Sequence, residues 1–386
     1  MSGFGRLTCR VLTSLEEIDA VARDWQALEA ASADPLSYFQ SFAWCRNWVA
    51  QFCGDGVRPY IVTVWRSETV VAIWPQMIVF NAGVKRLETL GVPHSQYCGV
   101  LVRDRDDAQV RRALREAAEE SGCDVVLTRS VLAGSALQAV VGHMPQIAGS
   151  ANVASMLDLS SFAHPDAYVA QLGKLQKRNR NRRRNHLARL GDLSFGVLWP
   201  GDPEFGPLVR LCAEMKRRWL AETGRFSSGF AMRGLEDFLA ALPGDRAALE
   251  GACLSVLRCG DRVVALELGF LRQGHYYAYV GGFDWELQQL SPGKVQMDFT
   301  VAWLIEQGVG SYDLLTNPAN YKASWTNSSI AVSGHARALT WRGRLYASTW
   351  LPAVRPALKR LHARMPALVE RIAVFLRPVA CILLYV

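Results

Sequence analysis

The stretch from Tyr276 to Thr326 constrains the fold of this 386-residue chain more than any other. Tyr276–Val280 is rich in β-formers and ends in Gly281 and Gly282. A polar loop follows, then Ser291-Pro292-Gly293-Lys294. The next segment places Val295, Phe299, Ala302/Trp303 and Ile305 on one helical face and closes at Gly308 and Gly310. A short strand, Tyr312–Leu315, precedes Asn317-Pro318 and Tyr321-Lys322-Ala323-Ser324-Trp325. Strand, small-residue turn, helix, strand is the layout of an anion site. The first amides of a helix lack intrahelical partners and carry the positive end of its dipole. Ser291 can serve as N-cap and Pro292 fits the first helical position. Gly293 admits close approach to the backbone, and Lys294 adds a point charge. Ser-Pro-Gly is equally an ordinary capping sequence, so chemistry alone leaves both readings open.

The ordered set of motifs is more specific than its parts. Gly281-Gly282-Phe283-Asp284, the Ser-Pro-Gly helix start, Tyr312-Asp313-Leu314-Leu315 and Tyr321-Lys322-x-x-Trp325 together resemble the acetyltransferase domain of the GNAT superfamily. The similarity is greatest to its BioF-like or CelD-like (cellulose-biosynthesis) branch, a relative of the FemABX peptidoglycan aminoacyltransferases. It covers residues 160–325, and more weakly the chain back to residue 10. Where the family often has Gly after the Tyr-Asp strand, this chain has Thr316-Asn317-Pro318.

The resemblance implies an acyl-CoA, most simply acetyl-CoA, as co-substrate, with no cofactor held permanently. The donor would lie along Tyr279, Val280 and Gly281, with its pyrophosphate on Ser291, Gly293 and Lys294. Lys322 would stabilise developing negative charge, with Asp313 as its partner or as a base. Read without the resemblance, Lys322 is a surface lysine and Asp313 a cap. Tyr277, Tyr279 and Tyr321 are proton relays or strand packing, with Tyr277 also placed at the substrate. Glu267 stands mid-strand among apolar neighbours; buried, it becomes a general base of raised pKa, and on a half-exposed sheet it points outward.

Composition narrows the rest. Half the residues are hydrophobic, enough to bury a substantial core in two domains. Nine cysteines are scattered with no C-x-x-C, a pattern of reduced thiols in a cytoplasmic protein. The histidines show no metal spacing, so no metal site is expected. The N-terminus lacks the apolar segment of a signal peptide. The net charge of +8 has one source: Lys174–Arg189 holds eight basic residues and no acidic one.

Along the chain, Leu7–Leu12 predicts a strand. Thr13 or Ser14 then caps a helix, with Glu16 or Glu17 completing a capping box. Residues 37–52 carry six aromatics and predict a helix, buried as core or with one ring lining a substrate groove. Strands follow at Tyr60–Trp65, Val70–Phe80, Arg86–Leu90 and Tyr97–Val102. A helix at Asp106–Ser121 and strands at Asp124–Leu127 and Met156–Leu159 complete the first half. In the second half, helices at 204–222 and 230–241 precede a meander through Ala252–Arg258, Arg262–Leu271 and His275 onward, with Gly at both bends. VTVWRSETVVAIW (62–74) parallels SVLRCGDRVVALEL (255–268), which suggests two copies of one unit.

The expected fold is therefore α/β (α+β). Tandem GNAT-like domains carry mixed, mostly antiparallel sheets flanked by helices. The first (1–159) is degenerate, without a Ser-Pro-Gly helix; the second (160–343) is the acetyltransferase domain; a basic amphipathic tail (344–386) follows.

Two segments stay open. Phe162 to Leu190 predicts one long helix with Leu172, Leu175, Asn179, Arg183, His186 and Leu190 inward. Its charges form a solvated face, an anion site or a nucleic-acid surface, and Asn179 and Arg183 are the residues assigned to substrate. The lack of interleaved aromatics speaks against DNA, and a similar helix in the resembling family speaks against tRNA. In the tail, apolar positions from Leu351 to Phe375 alternate with basic ones. Pro356 and Pro366 interrupt them, and the final segment is too short to span a bilayer. Contact with the membrane surface through 351–376, packing on the protein and homo-oligomerisation are all compatible with this pattern. The expected location is cytoplasmic, peripheral to the inner membrane face in the second case.

The expected activity is acyl transfer to an amine or hydroxyl acceptor, in polysaccharide or cell-envelope synthesis. The alternatives are an aminoacyl-tRNA-dependent FemABX-type transferase and a non-catalytic partner in exopolysaccharide production.

Overall fold

The structure is a computed structural model that describes residues 6–32, 34, 36–54, 56–81, 83–316, 325–354 and 357. Tyr321, Lys322 and the tail from residue 358 onward lie outside the described residues. The chain forms two compact units. One comprises residues 1–153 and 330–386, the other residues 154–329.

The first unit opens with β1 (Leu7–Leu12), α1 (Leu15–Ala20) and α2 (Ala22–Ala31). Ser14 caps α1, accepting from the Glu17 amide at 3.1 Å, and the reciprocal capping box is present. The aromatic segment forms α3 (Phe42–Phe52), capped by Ser41. Trp25, Trp44 and Trp48 are fully buried, so these rings are core. Then come β2 (Val57–Arg66), β3 (Thr69–Asn81), β4 (Val84–Thr89), β5 (Leu101–Val102), α4 (Ala108–Glu119), β6 (Val125–Leu132) and α5 (Ala136–Val141).

The second unit takes β7 (Asn152–Asp158), α6 (Pro165–Gln171), α7 (Lys174–Ala188), β8 (Leu193–Leu198), α8 (Phe205–Glu222), α9 (Ser228–Ala231) and α10 (Leu235–Ala240). It continues through β9 (Gly244–Asp245), β10 (Glu250–Cys259), β11 (Arg262–Arg272), β12 (His275–Phe283), α11 (Pro292–Glu306) and β13 (Ser311–Asp313). The chain then returns to the first unit with β14 (Ser328–Ala338) and α12 (Trp341–Leu345). Residues 330–343, assigned on sequence to the second domain, thus belong to the first, because β14 pairs with β6.

Both sheets have the same plan. In the first unit the order is β1-β2-β3-β4-β6-β14, and in the second β8-β10-β11-β12-β13-β7. Each runs through three antiparallel pairings, one parallel pairing and a last antiparallel one. The short hairpin similarity in sequence is therefore a repeat of topology. The closing strands are exchanged: β7 follows β6 in sequence but pairs with β13, and β14 follows β13 but pairs with β6.

In the second unit, α11 packs on one face of the sheet with Val301, Leu304, Tyr276 and Tyr312 in a common core. On the other face α8 touches the strands directly. A Cβ on Gly282 would fall 2.6 Å from the Cys212 carbonyl oxygen, so glycine permits this approach. Among the described residues every cysteine is a free thiol, and no helix is long and apolar enough to cross a membrane.

Candidate active site

The site begins where two parallel strands part. β12 pairs with β13 only over His275↔Ser311, Tyr276↔Tyr312 and Tyr277↔Asp313. The next amide, that of Leu314, turns away to the Ser155 carbonyl of β7 at 2.9 Å. From Ala278 to Phe283, β12 keeps β11 as its only strand partner among the described residues. A register shift at Leu268/Gly269 adds Tyr279 as an extra residue on β12, and such bulges increase local twist and re-aim the chain. Gly281 is exposed in mid-strand, and nothing lies within 4 Å of where its Cβ would be.

The start of α11 lies just beyond the end of β12. The Lys294 and Val295 amides both bond to the Ser291 carbonyl, at 3.0 and 3.4 Å. Pro292 has no N–H, and the Gly293 amide has no partner among the described residues. Ser291 is not the side-chain cap expected. Its φ of +57° places it in the left-handed region, and its hydroxyl makes no capping bond. The first turn therefore carries no side-chain cap. The equivalent helix of the first unit, α4, which links parallel β4 and β6, is closed: the Asp107 carboxylate accepts from the Gln109 and Val110 amides at 2.9 and 3.0 Å. A carboxylate of the chain itself occupies the anion position there.

α7 brings cations to this opening. The long helix expected from Phe162 to Leu190 is broken at Leu172-Gly173. Leu175 and Leu190, expected inward, are 67% and 59% exposed, and His186 is exposed too. The face turned toward α11 instead carries Asn179, Arg180, Arg183 and Leu187. Arg180 pairs with Asp298 at 2.9 Å, and the Arg184 guanidinium lies 5.1 Å from the centre of the Phe299 ring. Burial still pushes the Asp298 carboxyl up to about 6, against the pull of Arg180, Arg183 and Arg184. Lys294 is half-buried, and its ammonium is held below the ordinary lysine value, first by burial and then by Arg183. Arg183 is therefore near enough to the first turn of α11 to act on Lys294.

Two polar networks flank the parting, one on each face of the sheet. On the α11 face, Glu267 of β11 accepts from the Tyr276 hydroxyl at 3.1 Å and the Tyr312 hydroxyl at 2.8 Å. Burial outweighs both hydrogen bonds and pushes its carboxyl up to about 7. Gly269 makes room for this: a Cβ there would sit 2.1 Å from the Tyr276 ring. Glu267 thus points inward. It stands directly across from Gly281. On the α8 face, fully buried Asp313 lies 3.3 Å from His275 Nε2 and accepts from the Leu315 amide at 2.7 Å. Ser311 reaches the other ring nitrogen of His275. His275 is thus held between a carboxyl group on one ring nitrogen and a hydroxyl on the other.

The first unit has the same strands without either network. Matching the parallel ladders sets Leu87 and Val126 at the places of Tyr276 and Tyr312, and Arg86, Val125 and Leu127 at those of His275, Ser311 and Asp313. Trp74 falls at the place of Glu267. The first unit keeps the strand order without these groups and buries the Arg86–Glu88 ion pair on its parallel ladder instead.

Of the other candidates, Tyr277 is fully buried with its ring 4.7 Å from that of His275. The Tyr279 ring lies 4.9 Å from that of Phe270, with its hydroxyl pKa raised by burial. Val280 gives its carbonyl to the Cys212 thiol at 3.4 Å. One notable residue escaped the sequence reading. Lys216 of α8 sits with its ammonium 3.9 Å from the centre of the Trp219 ring, and burial pushes it down to about 8. In sequence it is one polar position in an amphipathic stripe, with nothing to distinguish it. No group of three metal-ligating side chains occurs among the described residues.

Residues 174–323 match the family model of the acetyltransferase (GNAT) domain. No curated protein matches the chain. Among solved structures, FemX is similar over 88% of this chain and 98% of its own, at 11% identity and a TM-score of 0.53. The C-terminal domain (DUF2156) of a protein named as a lysylphosphatidylglycerol synthetase from Agrobacterium fabrum is similar over 86% and 95%, at 13% identity and a TM-score of 0.52. A conserved protein of unknown function from Bacteroides thetaiotaomicron matches over 85% and 99%, at 13% identity and a TM-score of 0.52. At such identities these likenesses show the fold alone. The match to the GNAT domain model falls within the second unit, and the first unit repeats its strand order.

Proposed function

We propose that the second unit transfers an acyl group, most simply acetyl, from acyl-CoA to an amine or hydroxyl acceptor. The observation that carries this reading is the parting of β12 from β13 beside an uncapped helix start. The freed edge of β12 offers backbone groups to the extended arm of a donor and to its thioester carbonyl. The open turn at Gly293 and Lys294 suits its pyrophosphate. Holding donor and acceptor in line does most of the work on an already activated thioester.

Arg183 is reassigned within this reading. On sequence it is placed with the acceptor. Its position beside Lys294 favours the donor phosphates instead, with Asn179 on the same inward face. Asp313 and Glu267 are the carboxylates of the site, and a pKa near 7 suits Glu267 to proton removal. The roles of Lys322 and Tyr321 rest on the motif alone. The motifs of the second unit are those of the BioF-like and CelD-like branch, and on that reading envelope or polysaccharide precursors are the acceptor class to try first. A cytoplasmic location, with the tail meeting the inner membrane face, accords with such acceptors.

Gly293→Val tests the helix start. The site has room for a side chain, since the nearest atom to an added Cβ is Phe283 Cδ1 at 3.6 Å. The fold should survive, while acetyl-CoA affinity in calorimetry should fall by about tenfold or more as the branched side chain covers the amide. Unchanged affinity would remove α11 from the donor site.

A further inference from the structure

The path of α8 directs one amine toward the freed strand edge. Glu204, just before the helix, bonds Arg258 of β10 at 2.8 Å. Two turns later the Cys212 thiol reaches the carbonyls of Leu266 on β11 and Val280 on β12, at 3.8 and 3.4 Å. Met215 then packs on Gly282 of β12, its Cβ 2.9 Å from where a glycine Cβ would be. Strands lie about 4.8 Å apart and a helix rises about 1.5 Å per residue. This course from β10 over β11 to β12 directs the next turn, Lys216–Trp219, toward the side of β12 that β13 has left.

We propose that Lys216 is an acyl-accepting amine of this site: when acyl-CoA is bound and no acceptor is present, Lys216 is itself acylated. The inference rests on the donor reading above. In the step, the Nζ lone pair attacks the thioester carbonyl. The N–C bond forms, the C–S bond breaks, the CoA thiolate departs, and the proton lost by nitrogen passes to the thiolate or to water.

The surroundings favour the neutral amine that such attack requires. Lys216 makes no ion pair among the described residues. Its neighbours are the Trp219 ring, the Cys212 thiol, and the Arg225 guanidinium, which lies 4.9 Å from the centre of the same ring. Burial is the main influence, Cys212 opposes it, and Arg225 adds to it; the ammonium is brought down to about 8. At pH 7.5 about a quarter of such an amine is neutral, against about a thousandth for an ordinary lysine. Acylation removes the positive charge and fills the strand edge, so the adduct would slow further turnover.

The test uses the full chain with acetyl-CoA alone at pH 8, followed by intact mass and peptide mapping. One acetyl group per chain, on Lys216, is expected. It should be absent in Lys216→Arg, which keeps charge and length, and slowed about tenfold in Lys294→Gln. An adduct spread over many lysines, or none on Lys216 while calorimetry shows acetyl-CoA bound, would overturn the proposal. A second arm needs no donor: trinitrobenzenesulfonate at pH 7.5 should label Lys216 ahead of exposed lysines. Slower labelling than theirs would overturn it equally, whereas fast labelling with no CoA binding would count against the donor reading instead.

Discussion

Replacing Arg183 and Lys294 together by Gln is expected to weaken acetyl-CoA binding about 100-fold, or about 3 kcal/mol. The two cations sit close enough for one to depress the other. Asp298, a carboxylate one turn along α11, is already shared among Arg180, Arg183 and Arg184. Holding like charges together at a half-buried helix start is unfavourable unless an anion joins them. A phosphate about 4 Å from each cation gains several kcal/mol at the effective dielectric of a protein surface, before solvent screening reduces it. Each single change should cost about tenfold, and the affinity of the wild type should fall with salt. The result that counts against this assignment is a double variant that binds acetyl-CoA as the wild type does while its acceptor KM rises.

The second large effect concerns Glu267. Its carboxyl has a reference value of 4.5 and stands at about 7 in the folded chain, so the native state binds the proton more tightly than the unfolded state. The stabilising contribution is complete below about 4.5 and is lost as pH rises through about 7. The loss levels off at about 3 kcal/mol, from about 1.4 kcal/mol for each unit of difference. Glu267→Gln stays neutral and keeps a group to accept from Tyr276. It should match the wild type in urea unfolding near pH 4 and exceed it by about 3 kcal/mol at pH 8. A difference that does not change with pH would mean that the carboxyl is not held neutral by its burial. If Glu267 also removes the acceptor's proton, the same variant gains stability and loses turnover with donor affinity intact, the usual conflict between a functional group and the fold that buries it.

Much of the fold could be read from local chemistry. The capping box at Ser14 and Glu17, the glycine bends of the β10–β12 meander and the run from Pro292 to Glu306 each announce themselves within a few residues. The hairpin repeat pointed to two copies, and the shared strand order bears that out. The exchange of β7 and β14 was not legible, because a strand's own sequence does not name its partner. The inward face of α7 was misjudged for a related reason. Apolar Leu175 and Leu190 fit the helical period, but Asp298 and Phe299 on α11 draw the arginines in instead.

The site was legible in part. Glu267 in mid-strand, Asp313 on the strand after the helix and a helix starting at Pro292 were each expected from sequence, and the strands and helix lie there. The tyrosine pair on Glu267 depends on Gly269 leaving space for a ring, which no spacing rule reveals. The expected cap at Ser291 failed because its backbone turns left-handed, and that failure is what leaves the helix start open. In the first unit the Asp107 carboxylate caps the corresponding helix start, whereas the helix start in the second unit carries no side-chain cap.

The most direct test of the donor site is calorimetric titration of the purified chain with acetyl-CoA, with desulfo-CoA as a ligand that cannot react. Both carry the same phosphates, so binding to the α11 start predicts micromolar affinity of about 8 kcal/mol for each, one site per chain. No heat from either ligand would contradict the account, and charged tRNA would then be the donor to try.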